Sequence, residues 1–266
     1  MELEVNGSKL WFDVDGPSLV PTASGMVERP TVILLHGGPG SYDHSYLKPA
    51  FSSLTTYAQV VYVDLRGHGR SEWGEASEWS FETCAEDIHS FCDLLGISNP
   101  IVLGHSMGGF IAILYAARHP DQPAGLILQS TMARFDETRL IDGFTSIAGP
   151  EIAEMAREDY AGETSDAEAW SKVFATFGPN VPDQHELDRR IQNPSVNERG
   201  MHLFRHLDLT EILGAIRCPT LVCTGDLDPI TPPSAAAEIM EGLNAGVGRL
   251  SIIEDAGHFP WKDAPA

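Results

Sequence analysis

The sequence predicts an α/β fold, a mostly parallel central sheet flanked by helices, with a helical segment inserted late in the chain. Three observations predict it. Short apolar runs at 31–35, 59–64, 101–103, 125–129, 220–223 and 250–253 have the length and β-branched content of strands buried on both faces. Helical periodicity falls between several of them, most clearly over 81–95, which is the rhythm of βαβ units with right-handed crossovers. From 131 to 217 that rhythm breaks into a long, polar, helix-patterned stretch with no convincing strand. The chain is therefore read as a core at 1–130 and 218–266 carrying a helical cap, or lid, at 131–217.

The elements follow in order. Alternation at 2–5 and 9–14 around Asn6-Gly7 signals an antiparallel hairpin. Residues 15–30, rich in Gly, Pro, Ser and Thr, read as a connecting surface loop. The run 31–35 leads into His36-Gly37-Gly38-Pro39-Gly40, a loop whose glycines expose backbone N–H groups. The next, QVVYVD, runs into LRGHGRS. Ser80 and Gly96 bracket the helical stripe at 81–95 as cap and stop. Pro100 and Gly104 then bound a strand that ends at Ser106, with helical spacing resuming over 110–118. Inside the insertion, 147–160, 167–177, 186–191 and 199–213 read as helices, interrupted at Gly178-Pro179 and Asn193-Pro194.

Composition narrows the function. With 266 residues, 42% hydrophobic and 21% charged, the chain has ordinary globular proportions and enough length for a sizeable core. No run approaches the roughly 18 apolar residues of a membrane span. A net charge of -21, from 38 acidic against 17 basic residues, argues against nucleic acid and anionic membranes as partners, since both would be repelled. A small-molecule substrate is the expected partner, and no oligomeric state is assigned. The opening MELEVNGSKLWFDVDG lacks a basic region followed by an apolar one, so no signal peptide and a cytoplasmic location are expected. Cys84, Cys92, Cys218 and Cys223 form no C-x-x-C pair and read as reduced core residues. There is no nucleotide-binding glycine motif. His202 and His206 share helical spacing without an accompanying H-E-x-x-H, so neither a cofactor nor a metal is expected.

The chemistry concentrates at Gly104-His105-Ser106-Met107-Gly108. This G-x-S-x-G sits between strand and helix, the setting of a nucleophile elbow. A serine hydroxyl is a weak nucleophile near neutral pH and needs a base, which in turn needs an orienting group. Downstream, Asp226 and Asp228 follow the strand at 220–223, and His258 follows the strand at 250–253. Three loops at one sheet edge thus supply serine, carboxylate and imidazole, in the order serine, acid, histidine. The glycine loop after 31–35 suits an oxyanion hole, one of its N–H groups joining that of the residue after the serine.

These stretches resemble an α/β-hydrolase-fold serine hydrolase with a helical cap: HGGPG at 36–40, DLRGHGRS at 64–71, GHSMGG at 104–109, GDLDPITP at 225–232 and GHFP at 257–260, with similarity over about 10–262. The resemblance implies Ser106 as nucleophile, His258 as base and Asp228 as orienting acid, from Gly225, Asp228 and Pro232, with Asp226 as the runner-up. It implies oxyanion donors at the N–H groups of Gly38 and Met107, with Gly37 the alternative to Gly38. His36, His68 and His105 belong to the same motifs, and their expected role is to hold loops by hydrogen bonds.

HGGPG is similar to the proline-iminopeptidase-like group, which uses lid carboxylates to hold a free amine. Met107, however, follows the serine where those peptidases usually have tryptophan, and GHSMGG resembles esterases, lactonases and carbon–carbon bond hydrolases. Between 131 and 210 there are 15 acidic and 8 basic residues, a net of -7, against about -6 for an even share of the chain's charge. Glu151, Glu154, Glu158 and Asp159 are the candidate amine holders. The expected activity is hydrolysis of a carboxylic ester or lactone of a small, fairly apolar molecule through an acyl-enzyme. An iminopeptidase-like aminopeptidase is the alternative, with a carbon–carbon bond hydrolase or a non-catalytic ligand receptor behind it. Relatives usually continue past the histidine loop into a closing helix, which leaves the packing behind His258 open.

Overall fold

Asn6 and Gly7 take positive φ angles of 48° and 74°, the geometry of a tight hairpin turn, and join β1 (Glu2–Val5) to β2 (Ser8–Asp15). The computed structural model describes residues 1–164 and 166–264. After β2 come β3 (Leu19–Thr22) and β4 (Gly25–Glu28), a small separate antiparallel ribbon where a plain loop is expected. Its residues are mostly exposed, so backbone pairing alone makes it, and no buried face imprints an apolar alternation.

Six further strands complete the sheet: β5 (Thr31–Leu35), β6 (Gln59–Val63), β7 (Ile101–His105), β8 (Gly125–Gln129), β9 (Thr220–Gly225) and β10 (Gly248–Ile253). The spatial order is β1-β2-β6-β5-β7-β8-β9-β10. β2 pairs antiparallel with β1 and β6, and every pairing from β6 to β10 is parallel. The register sets Leu35 beside Gly104, His105 beside Gln129 and Gln129 beside Cys223. The carboxyl ends of six neighbouring strands therefore meet along one edge, where open α/β sheets collect their sites.

The helices are α1 (Leu47–Phe51), α2 (Phe81–Leu95), α3 (Met107–Arg118), α4 (Glu137–Ala148), α5 (Pro150–Ala161), α6 (Ala167–Phe174), α7 (Gln184–Asp188), α8 (Pro194–Phe204), α9 (Pro233–Gly242) and α10 (Pro260–Asp263). Ser80 caps α2 by accepting the Thr83 N–H, and Gly96 ends it at φ 69°. α3 is buried from Met107 through Ala116, as a helix packed on the middle of the sheet must be. The four cysteines are buried and unbonded. None of the described helices is long and apolar enough to cross a membrane.

Between β8 and β9 the described residues form five α-helices, with boundaries that differ from the sequence reading. The stretch at 147–160 is α5, preceded by α4 and parted from it by Gly149 at φ 89° and Pro150 at the first helical position. The stretch at 199–213 is the end of α8 followed by a separate 3-10 turn at Thr210–Ala215. Asn193-Pro194, read as an interruption, is a helix start, with Asn193 as cap and Pro194 where a missing N–H costs nothing. Asn193 also reaches outside its own helix. Its Oδ1 accepts the Val196 N–H at 3.3 Å while its Nδ2 donates to the Gly67 carbonyl at 2.9 Å, all in a buried setting. Asn193→Ala removes both bonds and is expected to cost about 1–3 kcal/mol, read as a lower urea midpoint. An unchanged midpoint would refute this account of the cap.

Candidate active site

Ser106 stands between the end of β7 at His105 and the start of α3 at Met107, with φ 53° and ψ -119°, a conformation that L-residues avoid. The turn is tight enough that a Cβ on Gly104 would strike the Gly108 carbonyl, and one on Gly108 would strike the Leu35 carbonyl. The serine is half-exposed between the buried His105 and Met107.

Asp228 lies in the loop after β9 and is 2% exposed. Its Oδ1 accepts the N–H groups of Ile230 and Thr231, each at 2.9 Å. Its Oδ2 accepts the Thr231 hydroxyl at 2.5 Å and His258 Nδ1 at 2.9 Å. Burial pushes the carboxyl up, but His258 and the Thr231 donors outweigh it and hold Asp228 below the usual carboxylate range. Because Nδ1 is committed to Asp228, Nε2 is the nitrogen of His258 left to exchange a proton, and His258 lines the same cavity as Ser106. Asp226, the runner-up, instead accepts the Ala256 N–H at 3.3 Å.

The loop after β5 supplies backbone donors. The Gly37 N–H is occupied by the Tyr46 hydroxyl at 2.7 Å, which removes it as a donor to a ligand. Gly38 has φ +147°, and a Cβ there would lie 3.2 Å from Gly40 N and 3.4 Å from Met107 Cε. Its N–H has no acceptor among the described residues. Met107 opens α3, so its N–H is among those a helix leaves unpaired, at the positive end of the dipole.

Sequence reasoning passed over two residues that complete this geometry, Tyr46 and Thr231, because a lone hydroxyl in a loop carries no spacing signal. Tyr46 donates to His105 Nδ1 at 2.8 Å, and His105 Nε2 donates to the His258 carbonyl at 3.0 Å. The other motif histidines are similarly fixed. His36 bonds the Gly37 carbonyl and the Leu65 N–H, and His68 bonds the Arg66 carbonyl and the Gly40 N–H. Burial drives His36 down, and drives His68 and His105 down to about 3.

A cavity of about 1240 Å³ opens over Ser106 and His258. The β8–β9 segment lines it with Tyr160, Trp170, Phe174, Phe177 and Phe204, together with Asp159 and Arg199. Of the four carboxylates singled out, only Asp159 lines this space; Glu154 instead pairs with Arg157 at 2.9 Å. Elsewhere, Asp43, His44 and Asp64 form a compact buried group. Its carboxylate oxygens already accept N–H groups from His44, Ser45, Arg70 and Ile191, so the group knits loops together.

Residues 30–265 match the family profile described as alpha/beta hydrolase fold. Proline iminopeptidase PfmaB of Pestalotiopsis fici is 27% identical, aligned over 96% of this chain and 92% of its own length. A pimeloyl-acyl-carrier-protein methyl ester esterase of Neisseria meningitidis is 29% identical over 86% of this chain and 87% of the esterase. Among solved structures, VinJ superposes with a TM-score of 0.81 at 24% identity over 100% of this chain and 93% of that one. The enol-lactonase from Burkholderia xenovorans LB400 does so at 0.70 and 22%, covering 97% and 92%. At those identities the likeness to solved structures speaks for the fold.

The buried neutral histidines make stability depend on pH. For His68 and His105 the folded value, about 3, lies below the unfolded value of about 6.5. The unfolded chain therefore takes up protons first as pH falls, and stability drops from about pH 6.5 downwards. Between pH 6 and 5 each contributes a slope approaching about 1.4 kcal/mol per pH unit. Urea unfolding at pH 7, 6 and 5 should show this loss, and a flat profile would contradict the neutral assignment.

Proposed function

The chain belongs to the alpha/beta hydrolase fold family, and we propose that it is a serine hydrolase cleaving a carboxylic ester or lactone of a small, fairly apolar substrate through an acyl-enzyme. The observation that carries this reading is the buried Asp228–His258 pair, 2.9 Å apart, on a cavity shared with the strained Ser106.

In this mechanism Ser106 Oγ attacks the carbonyl carbon while His258 Nε2 takes its proton. Asp228 fixes the imidazole by its Nδ1 and stabilises the imidazolium that forms. The N–H groups of Gly38 and Met107 receive the developing oxyanion, and they need no reorganisation because loop and helix already hold them. The imidazolium then protonates the departing alkoxide. Water, deprotonated by the same histidine, attacks the acyl-enzyme and releases the acid. The β8–β9 segment serves as the lid. Its aromatic lining supports an apolar substrate, because such walls recover the free energy of removing apolar surface from water.

A second reading, removal of an N-terminal residue from a peptide, has one specific support. Asp159 sits on the cavity wall, and burial raises its carboxyl above the usual range against the pull of Arg205. A substrate ammonium there would restore the charged form. Ester hydrolysis is preferred because Glu151, Glu154 and Glu158 do not line the cavity, and Tyr160, Trp170, Phe174, Phe177, Phe204 and Phe259 give it a large aromatic surface near Ser106 and His258.

A fluorophosphonate probe should label the native protein and fail on Ser106→Ala, whose esterase rate should fall by at least about 10⁴-fold. Gly38→Ala should lower kcat by about 10²–10³ by redirecting one oxyanion donor. p-Nitrophenyl acetate and butyrate should be turned over faster than prolyl p-nitroanilide. A reversed order would favour the peptidase, and no labelling and no turnover of any of them would remove the hydrolase reading.

A further inference from the structure

In a chain with 38 acidic and 17 basic residues, a cation has carboxylates to choose from, and the described residues show how each basic side chain is used. Nine lie within 4.0 Å of a carboxylate. Two donate to backbone carbonyls, two lie over aromatic rings, and three are exposed to water. Arg199 is left. It stands on α8, half-buried, with its Nε shut away from water and without a hydrogen-bond partner among the described residues. It lines the cavity that contains Ser106 and His258.

A desolvated guanidinium donor without a partner is costly, and buried polar groups in folded proteins almost always have one. A guanidinium presents a rigid fork of donors that matches a carboxylate in two parallel bonds. We propose that Arg199 anchors a carboxylate carried by the substrate at a distance from the scissile carbonyl, so that the substrate is an ester or lactone whose acyl part ends in a free acid. The inference rests on the hydrolase reading above. A single negative charge suits the site better than several, because Asp159 and Glu198 share the cavity wall and the net charge of -21 repels a polyanion. The other cavity arginines are otherwise engaged. Arg205 donates to the Tyr160 carbonyl at 2.6 Å, and the Arg190 guanidinium lies 4.7 Å from the centre of the Tyr42 ring.

The test compares two p-nitrophenyl esters of matched length, the neutral pentanoate and the monoester of glutaric acid. The native protein should favour the glutarate monoester by at least about tenfold in kcat/KM. Arg199→Met should erase that preference, Arg199→Lys should restore part of it, and Arg249→Gln, on the far edge strand, should leave it unchanged. In parallel, titration calorimetry of glutarate into Ser106→Ala should show binding that is lost when Arg199→Met is added. Turnover of the neutral ester with no preference for the acid, or a preference that survives Arg199→Met, overturns the carboxylate anchor and leaves the hydrolase reading standing. If neither ester is cleaved, the hydrolase reading fails and calorimetry decides alone: Arg199-dependent binding of glutarate supports the anchor, and its absence overturns it.

Discussion

The backbone at Ser106 is the constraint on which the site depends. A non-glycine residue at φ 53° and ψ -119° costs of order 1–3 kcal/mol and persists only when its surroundings over-determine it. They do so here. The Ser106 N–H is held by the Gln129 carbonyl at 3.0 Å, and the Ser106 carbonyl receives the Gly109 N–H and the Thr131 hydroxyl, each at 2.8 Å. Those partners sit on β8, on α3 and in the loop that follows β8, all buried, so the turn cannot relax without disturbing its packing on the sheet. The same turn starts α3 at Met107 and aims the helix N-terminus at the cavity. A free donor and a half-exposed serine are thus consequences of one strained residue.

A second layer ties the loops around that turn together without using any charge. The Gly37 N–H bonds the Tyr46 hydroxyl, which bonds His105, which bonds the His258 carbonyl. One chain of three hydrogen bonds therefore spans the glycine loop, the elbow and the histidine loop. Each link works because the groups stay neutral. Burial pushes the Tyr46 phenol well up and the His105 imidazole down, so the phenol remains a donor and Nδ1 remains an acceptor. His36 and His68 serve the adjoining turn in the same way. Four histidines on three sheet-edge loops and the elbow thus divide their work: three are neutral struts, and His258 alone has a buried carboxylate partner among them.

The sheet was legible because its strands are buried on both faces and leave continuous apolar runs. Ser80 and Gly96 marked α2 because caps carry residue types with a local cause. The ribbon at 19–28 was not legible, since its exposed side chains leave no pattern, and α4 was hidden by having only three buried residues, Leu140, Gly143 and Phe144. At the site, the expected order of Ser106, Asp228 and His258 corresponds to an Asp228–His258 contact, and Asp226 turned out to serve the loop backbone. Tyr46, Thr231 and Arg199 were invisible in advance. What distinguishes them is a distance, a shared oxygen or a missing partner, and none of these is a property of sequence spacing.

The β8–β9 segment does more than roof the cavity, because it is bonded to two of the loops that hold the chemistry. The Phe177 carbonyl accepts the His258 N–H at 2.6 Å, and Gly178 lies against Gly257 so closely that a Cβ on either would collide with the other's backbone. Behind this contact, Asp263 of α10 accepts the Gly257 N–H at 2.8 Å and the Asn180 N–H at 2.7 Å. At the other end, Asn193 donates its backbone N–H to the Gly40 carbonyl and its Nδ2 to the Gly67 carbonyl, and Asn197 Nδ2 donates to the Pro39 carbonyl at 2.8 Å. Moving the segment as a rigid unit would therefore pull on the loop beside Gly38 and on the loop that carries His258. Between these two attachments the wall is carried by α5 and α6, with Tyr160, Trp170 and Phe174 facing the cavity; the ion pairs Arg157–Glu154 and Lys172–Glu168 each lie within one of these helices and tie neither to the core. The cavity wall and the attachments to the loops that carry Gly38 and His258 thus lie on different parts of one segment.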